Sequence, residues 1–500
     1  MIEPVFEKIN FNQAVGTINE YVKVQTKTQL ENENIRSVLS VSPFVTILSV
    51  DVYDGKVSFA GKLTYYVSYV SESGALKKIE CGSEFAGTIK DARIKETCRV
   101  FCHASVEKTE YDIGSAFLTI DSNVCVFAEV TACTNLNALS GGSELVVKQK
   151  DFECVNTFTA KTGSYPVEQE FELNYVINDV LYHRAEAVIT AVQSGVGCII
   201  VDGQVLLSLL LLQNNEKNDI IKENRTIPFR IEVECEEAMP NMQAIARVKE
   251  KSFKTDVAVD EDASKSVVSA VVTLDFYGEV SVKTELSVAE DVFSTDSELE
   301  LLREDCAYLA PCPIESFSGA ISGRAGVSEL SVGCTVIGVC GEKATAKSEI
   351  FDGAVTFTGV MMATVYMRDE SGVFTRKVEI PFENRFDLEC EKDVQASVVA
   401  KVTNATARIV SLTEIELEAQ IFFTLYQAKT CCGGFIKEVK VLGGKEKPTS
   451  AISVYIPEEG EQMWSLAKRL NVCPEQMMAT NSDLQFPLTG QERIIIFRQK

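Results

Sequence analysis

Cys102 and His103 are neighbours, a nucleophile type beside a base type. Thiol attack assisted by an imidazole needs both side chains on one side, within hydrogen-bond reach. The pair falls in Arg99 to Val106, an apolar segment that reads as a strand, and adjacent strand residues point to opposite faces. Carboxylate pairs such as Asp291 with Asp296, or Glu298 with Glu300, could in principle share acid–base work. With 72 acidic residues in the chain, such pairs are expected on solvated faces, and catalytic roles need geometry rather than abundance. There is no Gly-x-Ser-x-Gly elbow and no glycine loop ending in Lys for a phosphate. None of the 16 cysteines forms Cys-x-x-Cys, and only His103 and His183 could complete a zinc set. The expectation is a non-enzymatic chain with no catalytic residues, no metal and no cofactor, its thiols reduced.

Bulk properties narrow the partners. A net charge of −24 argues against nucleic acid, whose binding rests on Lys and Arg neutralising phosphates. The start, Met1-Ile2-Glu3-Pro4-Val5-Phe6-Glu7, has no basic segment followed by an apolar run, so no secretory signal is expected. The most apolar stretch, Ile199 to Leu212, is shorter than the ~18 residues of a spanning helix, so no transmembrane segment is expected. A cytoplasmic protein follows. Hydrophobic residues make up 46% of the chain, enough for packed cores.

The elements that would position any site are repeated. The only Asp-Gly pairs lie in Val52 to Val57, Val201 to Val205 and Phe351 to Val355, with Asp54, Asp202 and Asp352 spaced by 148 and 150 residues. Asp-Gly between apolar runs predicts a type I′ hairpin, here three times at a near-constant interval. Val57, Phe59, Gly61, Leu63, Tyr65, Val67 and Tyr69 alternate with polar or small residues. Val355, Phe357, Gly359, Met361, Ala363, Val365 and Met367 repeat that register, each ending in Glu-Ser-Gly. Gly61 and Gly359 mark matching mid-strand bends. The second copy, Val205 to Leu212, reads as a strand covered on both faces. Ile227-Pro228-Phe229 answers Ile380-Pro381-Phe382 as edge strands, and Ser143-Glu144-Leu145 answers Ser297-Glu298-Leu299 as junctions. Helix is expected only as a turn or two near Asp296 to Arg303. The prediction is a mainly β chain of three β-sandwich-like modules, residues 1–142, 143–296 and 297–428. Lys429 to Ser450, with Cys431-Cys432-Gly433-Gly434, Gly443-Gly444 and Pro448, reads as a linker.

Residues 451–498 differ in kind. Ser453 to Ile456 predicts a strand, Met463 to Leu470 a helix with Met463, Leu466, Ala467 and Leu470 on one face, and Pro474 opens a second helix ending near Asn481. Arg493 to Phe497 closes the module as a strand, with Trp464 and Tyr455 in a small core.

This last module resembles the LysM domain, through Tyr455, Gly460-Glu461, Trp464-Ser465-Leu466-Ala467-Lys468, Val472, Pro474-Glu475, Met477-Met478, Asn481, Leu484, Pro487-Leu488 and Gly490-Gln491. LysM domains typically bind N-acetylglucosamine polymers. The resemblance places a groove between the loop of Gly460, Glu461, Gln462 and Met463 and the loop of Asn481, Ser482, Asp483 and Leu484. Gln462 stands where the family has a small hydroxyl residue that would cap the helix better. The three repeats resemble SPOCS domains, and repeats followed by LysM is the arrangement of the SipL-like family of clostridial spore coat assembly proteins. That resemblance implies a scaffold in the mother-cell cytoplasm, at the forespore surface, with the coat basement ATPase SpoIVA as protein partner of the LysM-like module. The alternative is a protein that binds peptidoglycan or chitin.

Overall fold

The computed structural model describes residues 2–30, 34–114, 116–215, 218–259, 264–389, 394–446 and 452–497. It is mainly β. Val57 to Tyr69 shows why: alternate residues are buried along this strand, so one pleat face meets the core.

The first unit holds β1 (Glu3–Gln29), β2 (Ile35–Tyr53), β3 (Lys56–Ser71), β4 (Leu76–Lys90), β5 (Cys98–Ile113) and β6 (Phe117–Ser143). One sheet runs β2-β3-β4 and the other β1-β6-β5, with Leu63, Tyr65, Val67, Ile120 and Val126 between them. The second unit holds β7 (Val146–Thr159), β8 (Gly163–Leu173), β9 (Ile177–Ser194), β10 (Cys198–Gln213), β11 (Ile220–Glu234), β12 (Gln243–Val259) and β13 (Ser266–Phe293). Its sheets are β9-β10-β11 and β12-β13-β7, with β8 also on β13. The third holds β14 (Ser297–Pro311), β15 (Glu315–Gly326), β16 (Thr335–Phe351), β17 (Ala354–Asp369), β18 (Gly372–Asp387), β19 (Val394–Ser411) and β20 (Glu414–Gly444). Its sheets are β16-β17-β18 and β14-β20-β15, with β19 also on β20.

The three units share a strand order. Where β1 runs unbroken along β6, with a register shift between Ala14 and Gly16, the other units split the same path into β7 and β8, or β14 and β15. They also share one close crossing. Gly61, Gly203 and Gly359 stand opposite Phe85, Phe229 and Phe382. A Cβ on any of these glycines would collide with that ring and with a carbonyl of the preceding strand, from Thr46, Val188 or Thr345. Only glycine lets the strands approach this closely.

Four expectations need correction. Asp202-Gly203 is not a turn; it lies within β10, and the chain reverses earlier, at Gly195 to Gly197. Gly203 is the counterpart of Gly61 and Gly359, and Gly197 (φ +71°) is the counterpart of Gly55 (φ +78°) and Gly353 (φ +72°). The carbonyls of those three turn glycines accept the N–H groups of Cys235, Asp91 and Leu388. Of the Asp-Gly turns, only Asp352-Gly353 has positive φ at both residues, as a type I′ turn requires. Asp296 to Arg303 holds no helix: Ser297 onward is β14. Lys429–Gly444 is not a linker but the second half of β20, paired with β14. Its glycines serve packing, since Cβ atoms on Gly433 and Gly434 would fall 2.8 Å from the Phe152 ring and 2.7 Å from the Asp305 carboxylate. Residues 447–450 of the expected linker lie outside the described residues.

The units form one body. Leu210 and Leu212 turn away from their own core toward Leu39 and Val70 of the first unit and Cys340 and Tyr366 of the third. Thus β10 is covered on both faces, as its continuous apolar run predicts. The Tyr366 hydroxyl bonds Ser68 (2.8 Å) and Ser40 (2.6 Å) of the first unit. Beyond the sandwiches, three two-stranded ribbons, β1/β6, β7/β13 and β14/β20, pack around Ile9, Leu136, Val155, Val288, Tyr308 and Phe435.

Both histidines sit at junctions between units. His183 lies against Tyr66 of the first unit (4.1 Å between centroids) and bonds Thr255 at 2.9 Å. Burial, with Lys78 nearby, lowers its pKa to about 4. The unfolded value is about 6.5, so the unfolded chain takes up the proton first. The neutral ring's contribution is fully present above about pH 6.5 and is lost as pH falls toward 4, on the order of 3 kcal/mol at 1.36 per unit. Urea midpoints of the native chain should therefore fall more steeply between pH 6.5 and 4.5 than those of His183→Gln; parallel curves would remove this role.

Candidate functional site

The C-terminal module pairs β21 (Ile452–Tyr455) with β22 (Ile494–Phe497) antiparallel, around α1 (Met463–Leu470) and α2 (Pro474–Thr480). Leu466, Ala467, Met477, Leu488, Ile494 and Ile496 form its core. Pro474 opens α2, where its missing N–H costs nothing. Gln462 makes no side-chain cap, as its amide in place of a small hydroxyl leads one to expect.

Most of the polar groups in the two proposed groove loops are turned inward. The Gly460 N–H (φ +86°) donates to the Leu488 carbonyl at 2.7 Å, and the Leu488 N–H donates back to Glu461 at 3.0 Å. The Glu461 carboxylate is taken by Arg469 and by the Glu458 N–H. The Asn481 amide is a plug: it donates to the carbonyls of Met477 and Ile495 and accepts the Ile495 N–H, each at 2.8 Å. Leu484 is half-buried in the core. Gln462, Met463, Ser482 and Asp483 keep exposed side chains. Among the described residues no hydrogen bond joins one loop to the other.

The module is docked rather than loosely tethered. Trp464 packs edge-on against Phe293 of β13 (5.2 Å) and donates its indole N–H to Asp291 at 2.8 Å. Lys468 reaches the same carboxylate at 2.7 Å, Asn471 donates to the Thr295 carbonyl, and Lys445 donates to Asn471 at 2.7 Å. Burial alone would raise the pKa of Asp291, but the hydrogen bonds from Lys468 and Trp464 outweigh it and hold it below the usual carboxylate range. Asp291 is thus a docking residue rather than half of a carboxylate pair. Trp464→Ala should release the module, since removing a packed Trp costs roughly 3–5 kcal/mol. Limited proteolysis should then cut near residue 446 faster than in the native chain; unchanged cutting would show that the contact does not hold the module.

Docking leaves one apolar face open. On β21, Ile452, Val454 and the following Ile456 are 58%, 62% and 66% exposed; across from them Ile495 and Phe497 are 39% and 60% exposed. The register sets Ile452 beside Phe497 and Val454 beside Ile495, so the four share a face. The alternation in Ile-Ser-Val-Tyr-Ile carries that signal, which a reading centred on the loops misses.

The remaining chemical candidates are separated. Cys102 is buried in the first core, whereas His103 stacks on Phe127 (4.9 Å) on the other face. No group of three metal-ligand side chains occurs among the described residues, and no helix is long and apolar enough to cross a membrane.

Residues 34–114 match the family model described as SipL, SPOCS domain. The match takes in β2 to β5 of the first unit, and so all of its first sheet. No curated protein and no solved structure matches the chain.

Proposed function

We propose that the chain is a non-enzymatic scaffold in spore coat assembly. Its three units are read as SPOCS repeats, and its C-terminal module is read as LysM-like and as the contact for SpoIVA. The work is placed in the mother-cell cytoplasm, at the forespore surface. The observation that carries the reading is the SPOCS match over residues 34–114. The glycine–phenylalanine crossing common to all three units supports extending it to the other two. The strand–helix–helix–strand order supports the LysM-like reading.

A scaffold must hold its contacts in fixed relation. The inter-unit packing and the docked module supply that here, without a long tether. The open face of Ile452, Val454, Ile495 and Phe497 is an apolar patch of the kind that marks a protein contact. In the glycan-binding alternative, sugar ligands would come from Glu461 and Asn481, but both side chains are engaged within the module. The test is capture of SpoIVA from sporulating cells by the tagged chain. Val454→Asp should lose the partner, whereas Ser482→Ala should retain it. Capture undiminished by Val454→Asp, together with Asn481-dependent pelleting on insoluble peptidoglycan, would favour the glycan reading.

A further inference from the structure

A cleft of about 300 Å³ opens where all three units meet. Its walls come from β1 and β6 of the first unit, β12 and β13 of the second, and β14, β19 and β20 of the third. Small-molecule sites favour such meetings of domains, and roughly 300–1,000 Å³ is their usual size. Arg247 spans the junction. It leaves the second unit, pairs with Glu129 of the first at 2.5 Å, and lies over the rings of Phe101 (5.4 Å) and Tyr426 (4.5 Å).

We infer that this cleft binds a small, uncharged, hydroxyl-rich molecule of sugar size. The charges in and beside it cancel in pairs, Arg247 with Glu129 and Glu279 with Arg99 (3.4 Å). No lysine lines it, so a phosphate or carboxylate finds no free cation, and an organic cation finds no free carboxylate. An apolar ligand would strip water from the polar wall without replacing its hydrogen bonds. That wall carries the hydroxyls of Thr17, Thr131, Ser397 and Tyr426, none of which hydrogen-bonds another described residue. Hydroxyls can both donate and accept, which suits a ligand made of hydroxyls. Ile245 and Leu309 supply an apolar side for the C–H face of a ring. One face of Tyr426 is already covered by Arg247, so hydrogen bonding rather than stacking there sets the selectivity. Because the walls belong to three units, the ligand would bridge them and raise the stability of the whole body.

The test is saturation-transfer NMR on the full chain, with glucose, N-acetylglucosamine and malonate as probes at millimolar concentration. At least one sugar should receive transfer, and malonate none. Ser397→Trp, which fills the open side of the cleft, should abolish the sugar signal. Tyr426→Phe removes one hydroxyl and keeps the ring under Arg247; it should weaken binding about fivefold, the usual cost of one neutral hydrogen bond. Unfolding curves of both variants should match the native chain in the absence of sugar. No transfer to either sugar, transfer to malonate alone, or sugar transfer unchanged in both variants would overturn the proposal; the last would place the sugar elsewhere, such as on the C-terminal module.

Discussion

Glu342→Ala should loosen the third unit from the second, at a cost of roughly 3–5 kcal/mol. Glu342 is 4% exposed, and a register shift between Cys340 and Lys343 bulges its strand toward the second unit. A bulge re-aims a side chain that the regular pleat would point elsewhere. Here it delivers the carboxylate to Lys222 (2.7 Å) and Arg184 (3.3 Å). The pairing continues through Glu186, which Arg184 meets at 2.5 Å, to Lys401, which also holds Glu250 at 3.2 Å. Burial alone would raise the pKa of Glu186, but Arg184 and Lys401 outweigh it and lower it. Its contribution is therefore present above the unfolded carboxylate range and lost as pH falls below it. Removing Glu342 takes from the largely buried Lys222 its carboxylate and leaves it facing Arg184, which keeps Glu186, so the effect should far exceed that of a surface ion pair. Urea denaturation followed by hydrogen exchange in β9, β11 and β16 reads it directly. An unchanged midpoint with unchanged protection would show that apolar packing alone joins these units.

Gly359→Ala should be the second large effect, destabilising by about 3 kcal/mol, at the upper end of what overpacking usually costs. Its Cβ would meet the Thr345 carbonyl as well as the Phe382 ring, and a backbone atom cannot swing aside as a ring can. Gly443→Ala is the control: nothing lies within 4 Å of that Cβ, so the change should stay within about 0.5 kcal/mol. Thermal unfolding of the two variants separates a packing role for Gly359 from general loss of glycine flexibility. Equal small shifts would mean the crossing relaxes at no cost.

The strands were legible because burial follows period two over long stretches, as in β3 and β17. The signal linking the units is also present in the sequence, but in glycine rather than in Asp. Gly55 and Gly61, Gly197 and Gly203, and Gly353 and Gly359 are each six apart; the turn glycine and the crossing glycine recur together, whereas Asp does not. Asp202 misled because its following glycine belongs to the crossing and not to the turn. Lys429 to Gly444 misled because glycine reads as freedom locally, while Phe152 and Asp305, which need the space, come from distant strands. The groove loops were placed by pattern, yet the internal bonds of Glu461 and Asn481 depend on Arg469 and Ile495 across the module. The docking of Trp464 on Asp291 joins residues 173 apart, a contact that no local spacing announces.

The most direct test of the scaffold reading is the position of a fluorescent fusion in sporulating cells, native against Val454→Asp with Phe497→Asp. Both side chains are exposed on the open face of the docked module, so the variants should leave the body folded. The account predicts a ring around the forespore for the native chain and a dispersed signal for the double variant. A ring that survives both substitutions would contradict the contact, and a native signal on the wall of growing cells would contradict the spore assignment itself.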